Sequence, residues 1–225
     1  VKKLSLLTAV LSAGALFGQA PIGEARIQLF GEFLRPADQV IARNGAVSLT
    51  DQADAQTGLG VRIMGEIPGT SNWYYNLGGR LTGRAAFNKT SSGSLTVDAT
   101  DVDFQYSYFS FGGSYLWNFG GFSLGSHLEG RSESLKVKGD VTVTGGTGSG
   151  GVDHRVSYLR PWFRLSGDWS FKAGGTRPFV GLDAAVAITK TSQNRVEGGL
   201  TSIDDRNLKA MAPNAAFSVY VGLRF

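Results

Sequence analysis

The sequence predicts an all-β protein, an eight-stranded antiparallel up-and-down barrel that spans a membrane, and three observations carry the prediction. Segments of alternating apolar and polar residues recur eight times along the 225 residues, and a period of two puts the two kinds of side chain on opposite faces of a strand. The links alternate as well. Those after the second, fourth and sixth runs are short, whereas those after the first, third, fifth and seventh, near 35–55, 88–101, 137–153 and 190–213, are long and rich in Gly, Ser, Thr, Asp and Asn. A soluble sandwich has no reason to keep every second turn tight, but a membrane barrel has short turns on one side of the bilayer and long loops on the other. The last run, Phe217 to Phe225, places Phe217, Val219, Val221, Leu223 and Phe225 on one face and Ser218, Tyr220, Gly222 and Arg224 on the other.

Composition fits a barrel. A mean hydropathy of -0.05 with 42% hydrophobic residues is too polar for a helical membrane protein, yet a barrel conceals its membrane character because only alternate residues face lipid. With 32 Gly, 14 Phe and 7 Tyr and no collagen-like period, the chain suits strands, tight turns and interfacial girdles. The formal charge of +4 includes Lys2 and Lys3 of an export segment, so little remains to recruit nucleic acid. Without cysteine there is no disulfide framework, thiolate nucleophile or Cys-based metal site.

Residues 1–25 have the order of a secretory signal: Lys2 and Lys3, an apolar run from Leu4 to Phe17, then small residues. The run is too short for a spanning helix. Cleavage after Ala20 leaves Pro21 beside the scissile bond; cleavage after Ala25, with Gly23 three positions from the bond, avoids this and is preferred. The expected division is a signal over 1–25 and a barrel over 26–225.

The first run, 26–34, sets Ile27, Leu29, Gly31 and Phe33 against Gln28 and Glu32, and the second, 56–66, sets Leu59, Val61 and Ile63 against Arg62 and Glu66. A Pro68-Gly69 signal marks a tight reversal. In the third, Trp73, Tyr75, Leu77, Leu81, Ala85 and Phe87 oppose Asn76, Arg80, Thr82 and Arg84; in the fourth, 102–119, Phe109, Phe111, Tyr115, Trp117 and Phe119 oppose Ser110, Gly112, Ser114 and Asn118. After Gly120-Gly121 the fifth sets Phe122, Leu124 and Leu128 against His127, Glu129, Arg131 and Glu133. The sixth, 154–171, sets Leu159, Phe163, Leu165, Trp169 and Phe171 against Arg160, Arg164 and Asp168, and the seventh sets Val180, Leu182, Ala184, Val186 and Ile188 against Asp183 and Thr189. An even count brings both ends to the short-turn side, where first and last strands pair and the sheet loses its edges. Pro161 removes a ladder donor, so a bulge is expected there, with Trp162 facing either lipid or lumen.

Trp73, Trp117, Phe119, Phe122, Trp169 and Phe171, with Phe225, all lie beside short turns or at the carboxyl end and form one interfacial belt. Phe87, Phe104 and Tyr106 begin the opposite belt.

If the apolar faces meet lipid, the other faces meet inside, and they are charged: Glu32, Arg62, Glu66, Arg80, Arg84, Glu129, Arg131, Glu133, Arg160, Arg164, Asp168, Asp183 and Arg224. An eight-stranded barrel is just wide enough inside for side chains, so these groups are expected to pair across it as a packed polar core, with a narrow ion pathway as the alternative. Catalysis has little support. A Ser/His/acid set can be drawn from Ser126 or Ser132 with His127 and Glu129, but Ser126 faces away from His127; His154 sits at the end of a Gly-rich loop. The run 144–151 lacks the Lys and following helix of a phosphate-binding loop. No catalytic residue, cofactor or metal is expected.

The signal, the loop alternation, the R-P-F-V-G run at 177–181 and the terminal F-S-V-Y-V-G-L-R-F together resemble the small eight-stranded outer-membrane proteins of Gram-negative bacteria, of the OmpA-transmembrane, OmpX and OmpW kind, without assigning a subfamily. The resemblance implies four long extracellular loops and three short periplasmic turns. It also implies an address for the barrel assembly machinery in the closing strand, carried by Phe217, Val219, Tyr220, Val221, Leu223 and Phe225. OmpA-like proteins often add a peptidoglycan-binding domain; here the sequence stops at the barrel. OmpW-like passage of apolar compounds wants an apolar lumen, which the charged set disfavours. Lipid A deacylases and acyltransferases share this size, but none of their short motifs is evident, and outer-membrane proteases are larger, ten-stranded barrels. The expected function is that of a monomeric, non-enzymatic barrel supporting outer-membrane integrity and surface interaction, with outer-membrane lipid and lipopolysaccharide as its surroundings. A narrow porin or small-molecule conduit is the alternative, and a lipid A-modifying enzyme the second.

Overall fold

The first and last runs pair with each other, and that pairing closes the sheet. In the computed structural model, which describes residues 23–36, 39–44, 47–51, 55–86, 90–92, 95–98, 102–144, 150–171, 175–189 and 205–225, β1 (Ala25–Leu34) runs antiparallel to β12 (Ala215–Arg224), with Arg26 opposite Arg224 and Phe33 opposite Phe217. Between them, in chain order around the wall, stand β4 (Gln56–Glu66), β5 (Trp73–Ala86), β8 (Asp103–Phe119), β9 (Phe122–Thr144), β10 (Gly150–Ser170) and β11 (Arg177–Ala187). Every neighbouring pair is antiparallel. The result is a closed eight-stranded up-and-down barrel, which has no sheet edge within its wall.

At one end the links are tight. Gly120, at φ 72°, and Gly121 turn β8 directly into β9, and Gly69 (φ 77°) and Asn72 (φ 68°) lie in the 67–72 reversal; the left-handed backbone at Gly120 costs little only without a Cβ. At the other end the links carry structure of their own. A hairpin of β2 (Gln39–Asn44) and β3 (Val47–Asp51) follows β1. A second, of β6 (Thr90–Ser92) and β7 (Leu95–Asp98), pairs with the end of β9. The helix α1 (Asp205–Ala210) precedes β12 and packs on β9 and β10.

The wall is apolar outside and polar inside over its short-turn half. Leu59 is 71% and Phe119 61% exposed, whereas Arg131 and Arg164 are fully buried. In the long-loop half the polarity reverses. The inward positions become apolar, with Val102, Phe104, Tyr106, Leu135, Val137, Val141, Val152 and Val156 in one buried cluster, while Lys138 and Asp140 point outward into the open.

Three expectations are corrected by this reversal. β9 continues to Thr144 and β10 starts at Gly150, so most of the link expected over 137–153 is strand; beyond the bilayer a wall strand buries its inner face and wets its outer one. Phe104 and Tyr106 belong to that inner cluster and not to a second aromatic belt, and Phe87 lies outside the described residues. The interior is also not polar throughout. At Pro161 the register with β9 runs unbroken opposite Gly130, without a bulge. Its carbonyl accepts from Ile188 N at 2.9 Å, where β11 has just ended, so the absent N–H falls beyond that ladder.

Candidate functional site: the filled barrel interior

Inward positions of β1, β4, β5, β9, β10 and β11 converge on an axial chain of alternating charge. Arg62 Nη1 lies 3.1 Å from Asp183 Oδ2, which is 3.6 Å from Arg164 Nη1; Arg164 Nη2 reaches Glu129 Oε1 at 2.7 Å. Glu129 Oε2 meets Arg131 Nε at 3.3 Å, Arg131 Nη1 meets Glu32 Oε1 at 3.6 Å, and Glu32 Oε2 meets Arg80 Nε at 3.0 Å. Arg62 also stands 4.0 Å from Glu129, which folds the chain back on itself. Each member is almost wholly buried, a setting in which an unmatched charge is far costlier than a matched one.

Aromatic rings insulate the chain. Arg131 lies between the rings of Tyr108 and Trp162, 4.3 and 4.2 Å from their centroids, and Arg62 stands 4.7 Å over Phe30. Tyr108 donates its hydroxyl to Glu32 at 2.8 Å, and Trp162 Nε1 donates to Glu133 Oε1 at 2.5 Å. Trp162 thus faces the lumen. Room for such groups comes from inward glycines: a Cβ at Gly60 would sit 2.1 Å from Phe30 Cζ and 2.5 Å from the Gly79 carbonyl.

Below this chain, toward the short turns, His127 is held inside by two hydroxyls, Ser114 Oγ at 2.7 Å from Nδ1 and Ser166 Oγ at 2.8 Å from Nε2, and Ser114 also bonds Asn76. The serines considered as nucleophiles, Ser126 and Ser132, lie on the opposite face. At the short-turn rim Arg26 pairs with Asp168 at 3.1 Å and with Glu24 at 2.5 Å, and Glu24 also pairs with Arg224. Glu66 accepts from the Glu24 amide at 3.0 Å. Glu66 and Arg224 therefore belong to the rim and not to the axial chain.

Above, Glu133 and Arg160 pair at 2.9 Å, and Arg160 reaches Asn214 Oδ1 at 2.9 Å and the Pro213 carbonyl. That tether draws the segment after α1 over the mouth. Leu208, Met211 and Ala212 enter the apolar cluster with Phe104, Leu135 and Val156, and His154 meets Asp205 at 2.7 Å outside it.

Of the thirteen charges singled out from the sequence, Arg84 has its side chain outside the described residues. Glu24 was missed because it falls within the expected signal, and Arg26 because it is the first residue of the first run, whose polar face was read only from Gln28 onward. The interior aromatics were missed because alternation alone does not tell a lipid-facing ring from a luminal one. Trp73, Trp117, Phe119, Trp169 and Phe171 are exposed at the short-turn end and Phe122 is partly exposed. There Trp73 and Trp117 both stack edgewise on Tyr115, at 5.1 and 4.9 Å. In the closing strand Phe217, Val219, Val221, Leu223 and Phe225 face outward, and Tyr220 is buried inside.

Among the described residues no group of three or more His, Cys, Asp or Glu side chains could hold a metal ion. A closed wall that satisfies its own backbone, greasy outside and charged within, is the form in which strands cross a bilayer. The fold is that of a membrane-spanning β-barrel. No family model matches the chain, and no curated protein matches it. Solved structures similar to it include neisserial surface protein A, at 10% identity and a TM-score of 0.44, covering 90% of this chain and 97% of that one. The attachment invasion locus protein Ail of Yersinia pestis is similar at 14% identity and a TM-score of 0.43, covering 90% and 99%. The N-terminal β-barrel domain of Pseudomonas aeruginosa OprF follows at 10% identity and a TM-score of 0.38, covering 90% and 97%.

Proposed function

We propose that this barrel is a sealed, non-enzymatic scaffold of the outer membrane that supports the bilayer and presents its long loops at the cell surface. The observation that carries the reading is the double filling of the lumen: an ion-paired chain from Arg62 to Arg80 in the bilayer half, and above it an apolar cluster closed by Leu208 and Met211. An ion entering such a barrel must separate buried pairs and then cross an apolar layer, each step unfavourable. The orientation follows from link length, with tight turns in the periplasm and the β2–β3, β6–β7 and α1 elements outside. The closing strand, with Phe217, Val219, Val221 and Leu223 facing outward, serves as the assembly address. The monomer needs no partner to fill its interior.

Purified barrel in planar bilayers is expected to give no current steps above baseline, and resolved unitary steps would replace this reading with that of a narrow conduit. The non-enzymatic part rests on His127, which is buried between serine hydroxyls away from lipid. Lipid A from cells with and without the gene is expected to show the same acyl pattern by mass analysis.

A further inference from the structure

Three strands of the wall, β8, β9 and β10, align their outward side chains in registered rows. Phe109, Ser132 and Leu159 share one row, the last with large apolar groups on this face. The next row consists of three hydroxyls, Ser107, Ser134 and Ser157, and the next of Gln105, Lys136 and Arg155. Like charges directly opposite each other on one face are unfavourable, yet Lys136 and Arg155 are opposed there. The two heads diverge. Lys136 Nζ turns up to Asp153 at 3.0 Å, in the row above, which Asp153 shares with Asp103 and Lys138. Arg155 Nε leans down and donates to Ser134 Oγ at 3.0 Å. Among the described residues no carboxylate lies within ion-pair distance of Arg155, so its guanidinium stands beside the serine row without a counter-charge.

We infer that this outward patch, Ser107, Ser134, Ser157, Lys136 and Arg155, binds the phosphorylated headgroup of an outer-leaflet glycolipid. A guanidinium beside hydroxyls offers donors and positive charge, the set that a phosphate monoester fills. Depth selects the occupant. Successive outward rows are about 6.6 Å apart along a strand, or about 5 Å along the bilayer normal at the tilt of such barrels. The serine row and the Arg155 head therefore lie about 5–10 Å above the apolar band, within the headgroup layer. A lipid packed on Leu128, Leu159 and Phe163 carries its phosphate to that level, whereas a soluble anion gains nothing from the apolar surface below. The inference rests on the proposed orientation, with the β9–β10 link outside.

The test uses refolded barrel in detergent micelles, titrated with bisphosphorylated lipid A and with the same lipid A enzymatically dephosphorylated, bound lipid being counted by native mass spectrometry. The expected result is a preference for the phosphorylated form of about tenfold, lost in the double variant Lys136→Ser/Arg155→Ser and weakened in Ser134→Ala/Ser157→Ala. These positions lie on the outer face, and the heat-dependent shift of the folded band on a gel checks that the variants fold. Equal retention of both lipids, or an undiminished preference in the double variant, overturns the assignment. So does equal occupancy by a soluble heparin oligosaccharide, which makes the patch a polyanion site. Because the chain has no cysteine, Ser157→Cys reports orientation separately on intact cells. Labelling by an impermeant maleimide supports an outer-leaflet occupant; its absence overturns the glycolipid while leaving the sealed-barrel reading to the conductance measurement.

Discussion

Glu129 is the residue on which the interior balance turns, because three guanidiniums, of Arg62, Arg131 and Arg164, converge on its two oxygens. Removing it leaves buried cations without their counter-charge, so Glu129→Ala is expected to cost about 3–5 kcal/mol, read as a lower denaturant midpoint for unfolding from lipid vesicles. A neutral result would mean that water reaches these groups and the lumen is open. Small residues set an equally sharp limit. Gly60→Ala drives a methyl into Phe30 and the Gly79 carbonyl and is expected to cost about 1–3 kcal/mol. Gly113 faces outward with nothing within 4 Å of an added Cβ, and Gly113→Ala is expected to stay within about 0.5 kcal/mol; the same vesicle assay compares the two. The burial of Glu129 was legible in the sequence, since parity sends it inside with Arg131 and Glu133. Its partners were not, because the stagger of strands distant in sequence decides which arginine meets which carboxylate.

At the scale of elements, β9 shows where sequence reading stops. Its first half is greasy outside, with Leu124 and Leu128, and its second half is greasy inside, with Leu135, Val137 and Val141. The alternation never breaks, but its sense inverts as the strand leaves the bilayer, and a reading that follows only lipid-facing residues ends the strand too early. The inverted half holds α1 in place. Leu208→Ala or Met211→Ala removes a side chain from that apolar layer, at about 2–5 kcal/mol. Limited proteolysis is expected to nick the variants within 205–214 while the barrel stays resistant; unchanged resistance would show that the segment is held by Arg160 alone. The start of β1 bears on processing. Phe225 N bonds Ala25 O at 2.9 Å, and Glu24 bridges Arg26 and Arg224. We therefore propose that the peptidase cleaves after Ala20 and not Ala25, since the later cut discards Glu24 and, with Ala25, both hydrogen bonds of the Ala25–Phe225 pairing. N-terminal sequencing of the protein from outer membranes is expected to begin at Pro21, and a start at Arg26 would reject this.

For the whole molecule, the fold amounts to a separation of two solvents, and its four tryptophans sample both. Trp73, Trp117 and Trp169 are 51%, 44% and 58% exposed on the outer wall near the short turns, and Trp162 is fully enclosed in the lumen against Glu133 and Arg131. Amphipathic indoles on the wall belong at the level of the lipid carbonyls, where the ring is in hydrocarbon and its N–H remains wet. Lipids brominated high on the acyl chain should therefore quench the fluorescence of those three, and lipids brominated near the methyl end should quench them less, because all three sit at one rim and not at the midplane. Trp162 is separated from lipid by the wall, and its emission should survive both. The variant in which Trp73, Trp117 and Trp169 are all replaced by Phe isolates it: its remaining fluorescence is expected to be nearly indifferent to brominated lipid, whereas Trp162→Phe should leave a protein whose emission is almost wholly quenchable. Strong quenching in the triple variant would put Trp162 in contact with acyl chains. The parity of β10, and with it the assignment of Arg160 and Arg164 to the lumen, would then be wrong.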